Sequence, residues 1–233
     1  HNSPETPLGV IGITPGPMQA AVDRIEIRIR GKGGHGARPH QGVDPVLVAG
    51  HIITAVQSIV SRNVKPVDSA VISLCAMQAG DLSAMSVVAG SATLVGTVRT
   101  FKLEVQVLIE RRLHELCASV AQAFGASATV TYQRMYPATV NTAPEARLAG
   151  DVAESLVGAA NVVRDLEPSM GAEDFSFMLR VKPGAYLRLG QGSDNGMGGC
   201  HLHNNRYDFN DEVLPLGAAL HASLAEQAMP LTG

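Results

Sequence analysis

The sequence predicts an α/β protein in which a β-α-β-β-α-β unit interrupts a second α/β layer. Three observations predict it. Apolar residues recur with period 2, then 3.6, then 2 again across residues 23–136; breakers at 14–17 set that stretch apart from a short apolar run before it; and the texture changes again after Tyr136-Pro137.

Residues 8–13 (Leu-Gly-Val-Ile-Gly-Ile) read as a short buried strand closed by the turn Thr14-Pro15-Gly16-Pro17. From Asp23, Ile25, Ile27 and Ile29 alternate with Arg24, Glu26, Arg28 and Arg30, the pattern of a half-buried strand. Asp44-Pro45 opens a helix with an apolar stripe Val46, Ala49, Ile53, Val56, Val60. Strands follow near 69–77 and 91–99, the second alternating Ala92, Leu94, Gly96 and Val98 against Thr93, Thr97 and Arg99. A second helix carries Val105, Ile109, Leu113, Leu116 and Val120 and ends at Gly125, and a last strand alternates Ala128, Val130 and Tyr132 with Thr129, Thr131 and Gln133. This is the ferredoxin-like split unit, which covers one sheet face with two helices and leaves the other face or an edge free for pairing.

After residue 137 the pattern gives a helix near 144–157, a turn around Pro168 to Gly171, a strand near 184–190, a glycine-rich loop from Gly190 to Gly199 and a closing helix near 213–227. Residues 1–22 and 138–233 are therefore expected to form one α/β domain, with 23–137 as the ferredoxin-like insert.

Composition narrows the function classes. The 233 residues are 45% apolar and 17% charged, which is globular. A net charge of −3 gives no global field to recruit nucleic acid or an anionic membrane, and the local cluster Arg24, Arg28, Arg30, Lys32 reads as a solvated strand face. Cys75, Cys117 and Cys200 make no disulfide framework and no CxxC pair, which favours a reducing compartment and a cytoplasmic location. No uninterrupted apolar run reaches the ~18 residues that suggest a membrane span.

Two segments hold the residues suited to chemistry: Gly33-Gly34-His35-Gly36-Ala37-Arg38-Pro39-His40 and Cys200-His201-Leu202-His203-Asn204-Asn205-Arg206-Tyr207-Asp208-Phe209-Asn210-Asp211. Histidines placed in this way suit oxyanion stabilisation and metal binding, so together they point to a metal-dependent hydrolase. His203 competes with a plain surface histidine, and Cys200-x-x-His203 could itself hold a metal. His35 sits between glycines that let the backbone approach a ligand or a partner subunit, or that serve the turn alone. Arg99 offers a planar fork for a substrate carboxylate, against the alternative of an exposed strand arginine. Glu173-Asp174 reads first as a pair of acids favoured at a helix start. His51, His114 and His221 fall within helices and are assigned no role.

Five ordered stretches carry a resemblance over nearly the whole chain. They are Gly31–His40; Gly96-Thr97-Val98-Arg99-Thr100-Phe101; Tyr136-Pro137-Ala138-Thr139-Val140-Asn141; Gly171-Ala172-Glu173-Asp174-Phe175; and His203 with Tyr207-Asp208-Phe209-Asn210-Asp211. In that order the chain resembles the amidohydrolases of the hippurate hydrolase and N-acyl-amino-acid hydrolase group, within the aminoacylase and carboxypeptidase G metallopeptidase family.

The resemblance implies a zinc-peptidase-like α/β domain interrupted by a ferredoxin-like lid that dimerises. It implies His1 and His203 as metal ligands, His35 as the lid histidine that stabilises the tetrahedral intermediate in a neighbouring active site, and Arg99 as a holder of the substrate carboxylate. The cofactor implied is a divalent metal, zinc first, with manganese, cobalt or nickel as alternatives. The partners implied are a small-molecule substrate and a second copy of the chain, with no nucleic acid and no membrane. Ser86-Val87-Val88-Ala89 departs from the family's Asn-Val-Ile-Pro. The family's Cys-x-His ligand pair and its Glu-Glu would lie upstream of His1. The chain opens without an initiator methionine, so it is expected to be the later part of a longer enzyme and inactive alone. The competing expectations are a non-catalytic dimerisation or small-molecule-binding module, and a related aminopeptidase or dipeptidase.

Overall fold

The computed structural model of the chain describes residues 1–192, 200 and 202–229. Most of the predicted glycine-rich loop (193–199) and His201 lie outside the described residues. The first elements are the strands β1 (Asn2–Ser3), β2 (Ile11–Gly12) and β3 (Gly16–Gln19). Next come β4 (Ala21–Arg30), β5 (Gly34–His35), α1 (Pro45–Asn63), β6 (Ala70–Ala79), β7 (Val87–Val88), β8 (Ser91–Thr100), α2 (Leu103–Ala123) and β9 (Ser127–Tyr136). The chain continues through β10 (Thr139–Asn141), α3 (Ala143–Val157), β11 (Val162–Val163), α4 (Phe175–Leu179), β12 (Arg188–Gly190) and α5 (Leu214–Ala228). Two compact units result: His1–Gln19, Thr139–Ser169 and Glu173–Gly233 form one, and Ala20–Ala138 with Met170–Ala172 form the other.

The second unit is an antiparallel sheet in the order β6-β8-β4-β9 with α1 and α2 packed on it, the ferredoxin-like topology. The alternation read from the sequence is the burial observed: Ile25, Ile27 and Ile29 are buried completely, while Arg24 and Arg28 face solvent and pair with Glu26 at 3.0 and 2.6 Å. The core continues through Leu94, Val98, Ile109 and Leu113. At Gly96 the strands come so close that a Cβ would lie 2.1 Å from the Ser73 carbonyl oxygen. α2 ends in a Schellman motif, with the Ala126 N–H on the Ala121 carbonyl and Gly125 at φ +75°.

The predicted stripe of α1 needs correction. The buried residues are Val48, Ala49, Ile52, Val56 and Ile59, with Val46 43% exposed. The run Val46-Leu47-Val48-Ala49 and the pair Ile52-Ile53 are apolar on adjacent positions, so two helical faces satisfied the spacing and packing chose between them. This 19-residue helix, with a mean hydropathy of 1.2, is by length and composition apolar enough to cross a membrane. Its inner face is spent on the sheet.

The first unit holds a mixed sheet in the order β1-β12-β2-β11, in which β1 pairs parallel to β12, β12 antiparallel to β2, and β2 parallel to β11. Ile11, Val152, Ala153 and Leu220 form its core with α3 and α5. The strand expected at 8–13 shrinks to Ile11–Gly12, because Gly9 adopts φ +78° and the Val10 N–H closes a turn on the Pro7 carbonyl. Of the turn expected at 14–17, Pro15 lies at a bend and Gly16-Pro17 instead open β3. Gly16 takes φ +86°, and Pro17 lies opposite Val140 in a two-stranded ribbon, where its missing N–H costs little. The strand expected at 184–190 keeps only Arg188–Gly190. Around Tyr186 a side chain replaces the ladder: the Asn141 carboxamide accepts from the Tyr186 N–H at 2.7 Å and donates to its carbonyl at 2.9 Å.

Candidate active site

In the first unit, a cavity of about 460 Å³ opens at the start of β1. His1, Glu173, Phe175, Tyr186, Arg188, Phe209 and His221 line it together with aliphatic side chains from the sheet and α5. His1 Nδ1 lies 2.7 Å from the Asn2 carbonyl oxygen. A carbonyl can only accept, so Nδ1 carries the proton and Nε2 presents its lone pair. That is how a metal-binding imidazole is normally prepared: a hydrogen bond at one nitrogen fixes the tautomer that leaves the other free to ligate.

The segment that carries His203 is tied to the same strand. Tyr207 donates to Gln191 Oε1 at 2.8 Å, and Asn2, the residue after His1, donates to Gln191 Oε1 at 2.9 Å and to the Tyr207 hydroxyl. Asn210 donates to the Gln191 carbonyl at 3.0 Å. Among the described residues His203 is the only non-glycine at positive φ, at +68°. A side chain held there costs of order 1–3 kcal/mol, a strain that tends to collect at functional positions. Its imidazole is exposed.

Glu173 is more than a helix cap. Its Oε1 accepts weakly from the Phe175 N–H at 3.3 Å. Its carboxylate faces Tyr186, whose hydroxyl accepts from Gln19 Nε2 at 3.0 Å. Burial, and then the Glu173 charge, push the Tyr186 hydroxyl well above the usual phenol range, so it stays a donor. Sequence reasoning missed Tyr186 and Gln191, and it gave His221, which lines the cavity, no role. Only the polar residues Gln19 and Gln191 beside apolar strands gave a signal, since buried amides need partners.

In the second unit His35 is exposed on the β5–β7 ribbon, opposite Val87. Its Nδ1 accepts from the Ala37 N–H at 3.1 Å. The proton of the neutral ring therefore sits on Nε2, the reverse of His1, and among the described residues that N–H makes no hydrogen bond. Arg99 is occupied: Nε donates to Thr97 Oγ1 at 3.2 Å and Nη1 to the Met170 carbonyl at 3.2 Å, so it staples the segment Met170–Ala172.

As a donor set for a metal, the described residues fit in part. His1 has the right tautomer and His203 an exposed imidazole, yet no three His, Cys, Asp or Glu side chains converge among the described residues. Cys200 and His203 do not complete such a group.

An α/β unit interleaved in sequence with a ferredoxin-like unit, each carrying an imidazole with a defined tautomer, describes the architecture. Comparison identifies the family. The model for peptidase family M20/M25/M40 matches residues 1–227, and the chain belongs to that family. It is 35% identical to the hippurate hydrolase of Campylobacter jejuni over 225 residues, covering 97% of this chain and 57% of that protein. It is 34% identical to the N-acetylcysteine deacetylase of Bacillus subtilis, with 97% and 57% covered. Among solved structures, the YXEP protein of Bacillus subtilis, a dinuclear metal-binding peptidase of the M20 family, superposes with a TM-score of 0.78 at 29% identity, over 98% of this chain and 55% of that one. The chain thus spans little more than half the length of these relatives.

Proposed function

We propose that this chain supplies part of the catalytic apparatus for metal-dependent hydrolysis of the amide bond in N-acyl amino acids. The observation that carries this reading is the opposite preparation of two imidazoles: His1 as a Lewis base at Nε2, His35 as a hydrogen-bond donor at Nε2. Relatives named for removing benzoyl or acetyl groups from amino acids support the substrate class.

His1 and His203 would hold a divalent ion, zinc first and manganese, cobalt or nickel as alternatives. Such an ion lowers the pKa of its water toward ~7 and polarises an acyl carbonyl. His35 would donate to the oxyanion of the tetrahedral intermediate, a contribution whose loss costs roughly 10²–10³ in rate in other hydrolases. Arg99 remains a candidate for the substrate carboxylate through the N–H donors its two hydrogen bonds leave, two on Nη2 and one on Nη1. A homodimer through the ferredoxin-like unit is part of the proposal. β6 is an edge strand whose Cys75, Ala76, Met77 and Gln78 are exposed, the kind of edge that invites pairing.

The donor set among the described residues is incomplete, so the 233-residue chain alone is expected to be inactive. The test is a panel of N-acetyl, N-benzoyl and free-amino dipeptide substrates, offered to the chain and to the full-length gene product. Hydrolysis confined to the full-length product and to acylated substrates supports the reading. Turnover of free-amino peptides alone favours an aminopeptidase or dipeptidase. A stable metal-free dimer with no turnover favours a binding or assembly module.

A further inference from the structure

The ribbon that carries His35 ends in an unusual turn. Among the described residues, Leu82 and Met85 are the most exposed large apolar side chains, at 104% and 98%, and Val87, opposite His35 in the ribbon, is 65% exposed. Exposure of this kind is normally found on slack loops, but this turn is tied at every step. Asp81 Oδ1 accepts from the Ser83 N–H and hydroxyl at 2.8 and 2.7 Å, and the Ala84 and Val87 N–H groups donate to the Asp81 and Ala84 carbonyls at 3.1 and 3.0 Å. The Gly36 N–H then donates to the Ser86 carbonyl at 2.7 Å, which fixes the turn to the residue after His35. On the other side of His35 the strands are so close that a Cβ on Gly33 would lie 2.9 Å from the Val88 carbonyl oxygen. The backbone that carries the donor is therefore tied to the backbone that carries the apolar side chains.

We propose that Leu82 and Met85 are specificity-determining residues, forming the wall against which the apolar acyl group of the substrate packs while its carbonyl oxygen takes the His35 Nε2 hydrogen. The inference rests on the hydrolase reading above. Two groups flank the reacting carbonyl, the acyl chain and the amino acid with its carboxylate. This turn offers the second nothing: it carries no cation, and the Asp81 carboxylate repels a like charge. It offers the first two adaptable apolar side chains on a backbone already held in place, so that little further backbone ordering is needed when they are covered. The substrates favoured are those with aromatic or longer aliphatic acyl groups over acetyl.

The experiment measures kcat/KM of the full-length gene product, loaded with metal, for N-benzoylglycine and N-acetylglycine. It compares the unsubstituted protein, a Leu82→Ser/Met85→Ser variant and an apolar Leu82→Ile/Met85→Leu variant. The benzoyl-to-acetyl ratio should fall by about 10-fold or more in the serine variant, in line with the ~10–200-fold worth of small losses of apolar contact, and return in the apolar one. An unchanged ratio overturns the assignment, and so does an equal loss on both substrates, which would make the turn an assembly contact. If the unsubstituted protein cleaves neither substrate, the hydrolase reading itself falls and takes this inference with it.

Discussion

Asp23 provides the sharpest test of the ferredoxin-like core. Its carboxylate is completely buried at the start of β4. Gln106 Nε2 donates to its two oxygens at 2.9 and 2.8 Å, and the Tyr132 hydroxyl donates at 2.5 Å. Three elements, β4, α2 and β9, are thereby held through one charge. Tyr132→Phe keeps the ring and removes the O–H, leaving a buried carboxylate short of a donor. A charge-assisted hydrogen bond at such a place is worth about 1.5–3 kcal/mol, so the variant should lose about 2 kcal/mol, or roughly 5 °C in Tm. Chemical denaturation at pH 7 reads this directly. The alkaline limb supplies a second reading. Burial, and then the hydrogen bond to Asp23, raise the Tyr132 pKa above its ordinary 10. A phenol neutral in the fold but ionised when unfolded contributes stability that is complete below pH 10 and lost as pH rises beyond it, and the Phe variant should lose less there. A Tyr132→Phe protein as stable as its parent at pH 7 would refute the account of Asp23 as a charge that depends on its donors.

Two further outcomes follow from the same core. Gly96→Ala must push its Cβ into the Ser73 carbonyl at 2.1 Å and should part β6 from β8, seen as a Tm lower by several degrees or as insoluble expression. Burial lifts the Cys117 thiol from 9 to about 12, so it should resist a thiol reagent in the native state, and between pH 9 and 12 its part of the stability should decline, less steeply in Cys117→Ala.

Much of the ferredoxin-like unit was legible because its patterns are exclusive. Ile25, Ile27 and Ile29 alternating with charges allow only one strand face to be buried, and Gly125 after a 3.6-period run allows only one helix end. Legibility failed where several registers were equally apolar, as in α1, or where a side chain took over a backbone's work, as Asn141 does at Tyr186. The candidate site divides in the same way. His35 and His203 stand out as residue types in suggestive company and His1 through the family resemblance, but the tautomers of His1 and His35 depend on single backbone partners that no spacing reveals. Tyr186 and Gln191 become visible only when segments far apart in sequence meet.

The central claim is a division of labour between imidazoles, and reconstituting the chelated full-length gene product with zinc tests it most directly. Metal content and N-acyl amino acid hydrolysis would be measured for the parent, His203→Ala and His35→Ala. The account predicts that His203→Ala loses metal and activity together, while His35→Ala keeps its metal and loses roughly 10²–10³ in kcat. Full metal content in His203→Ala, or an undiminished rate in His35→Ala, would contradict it.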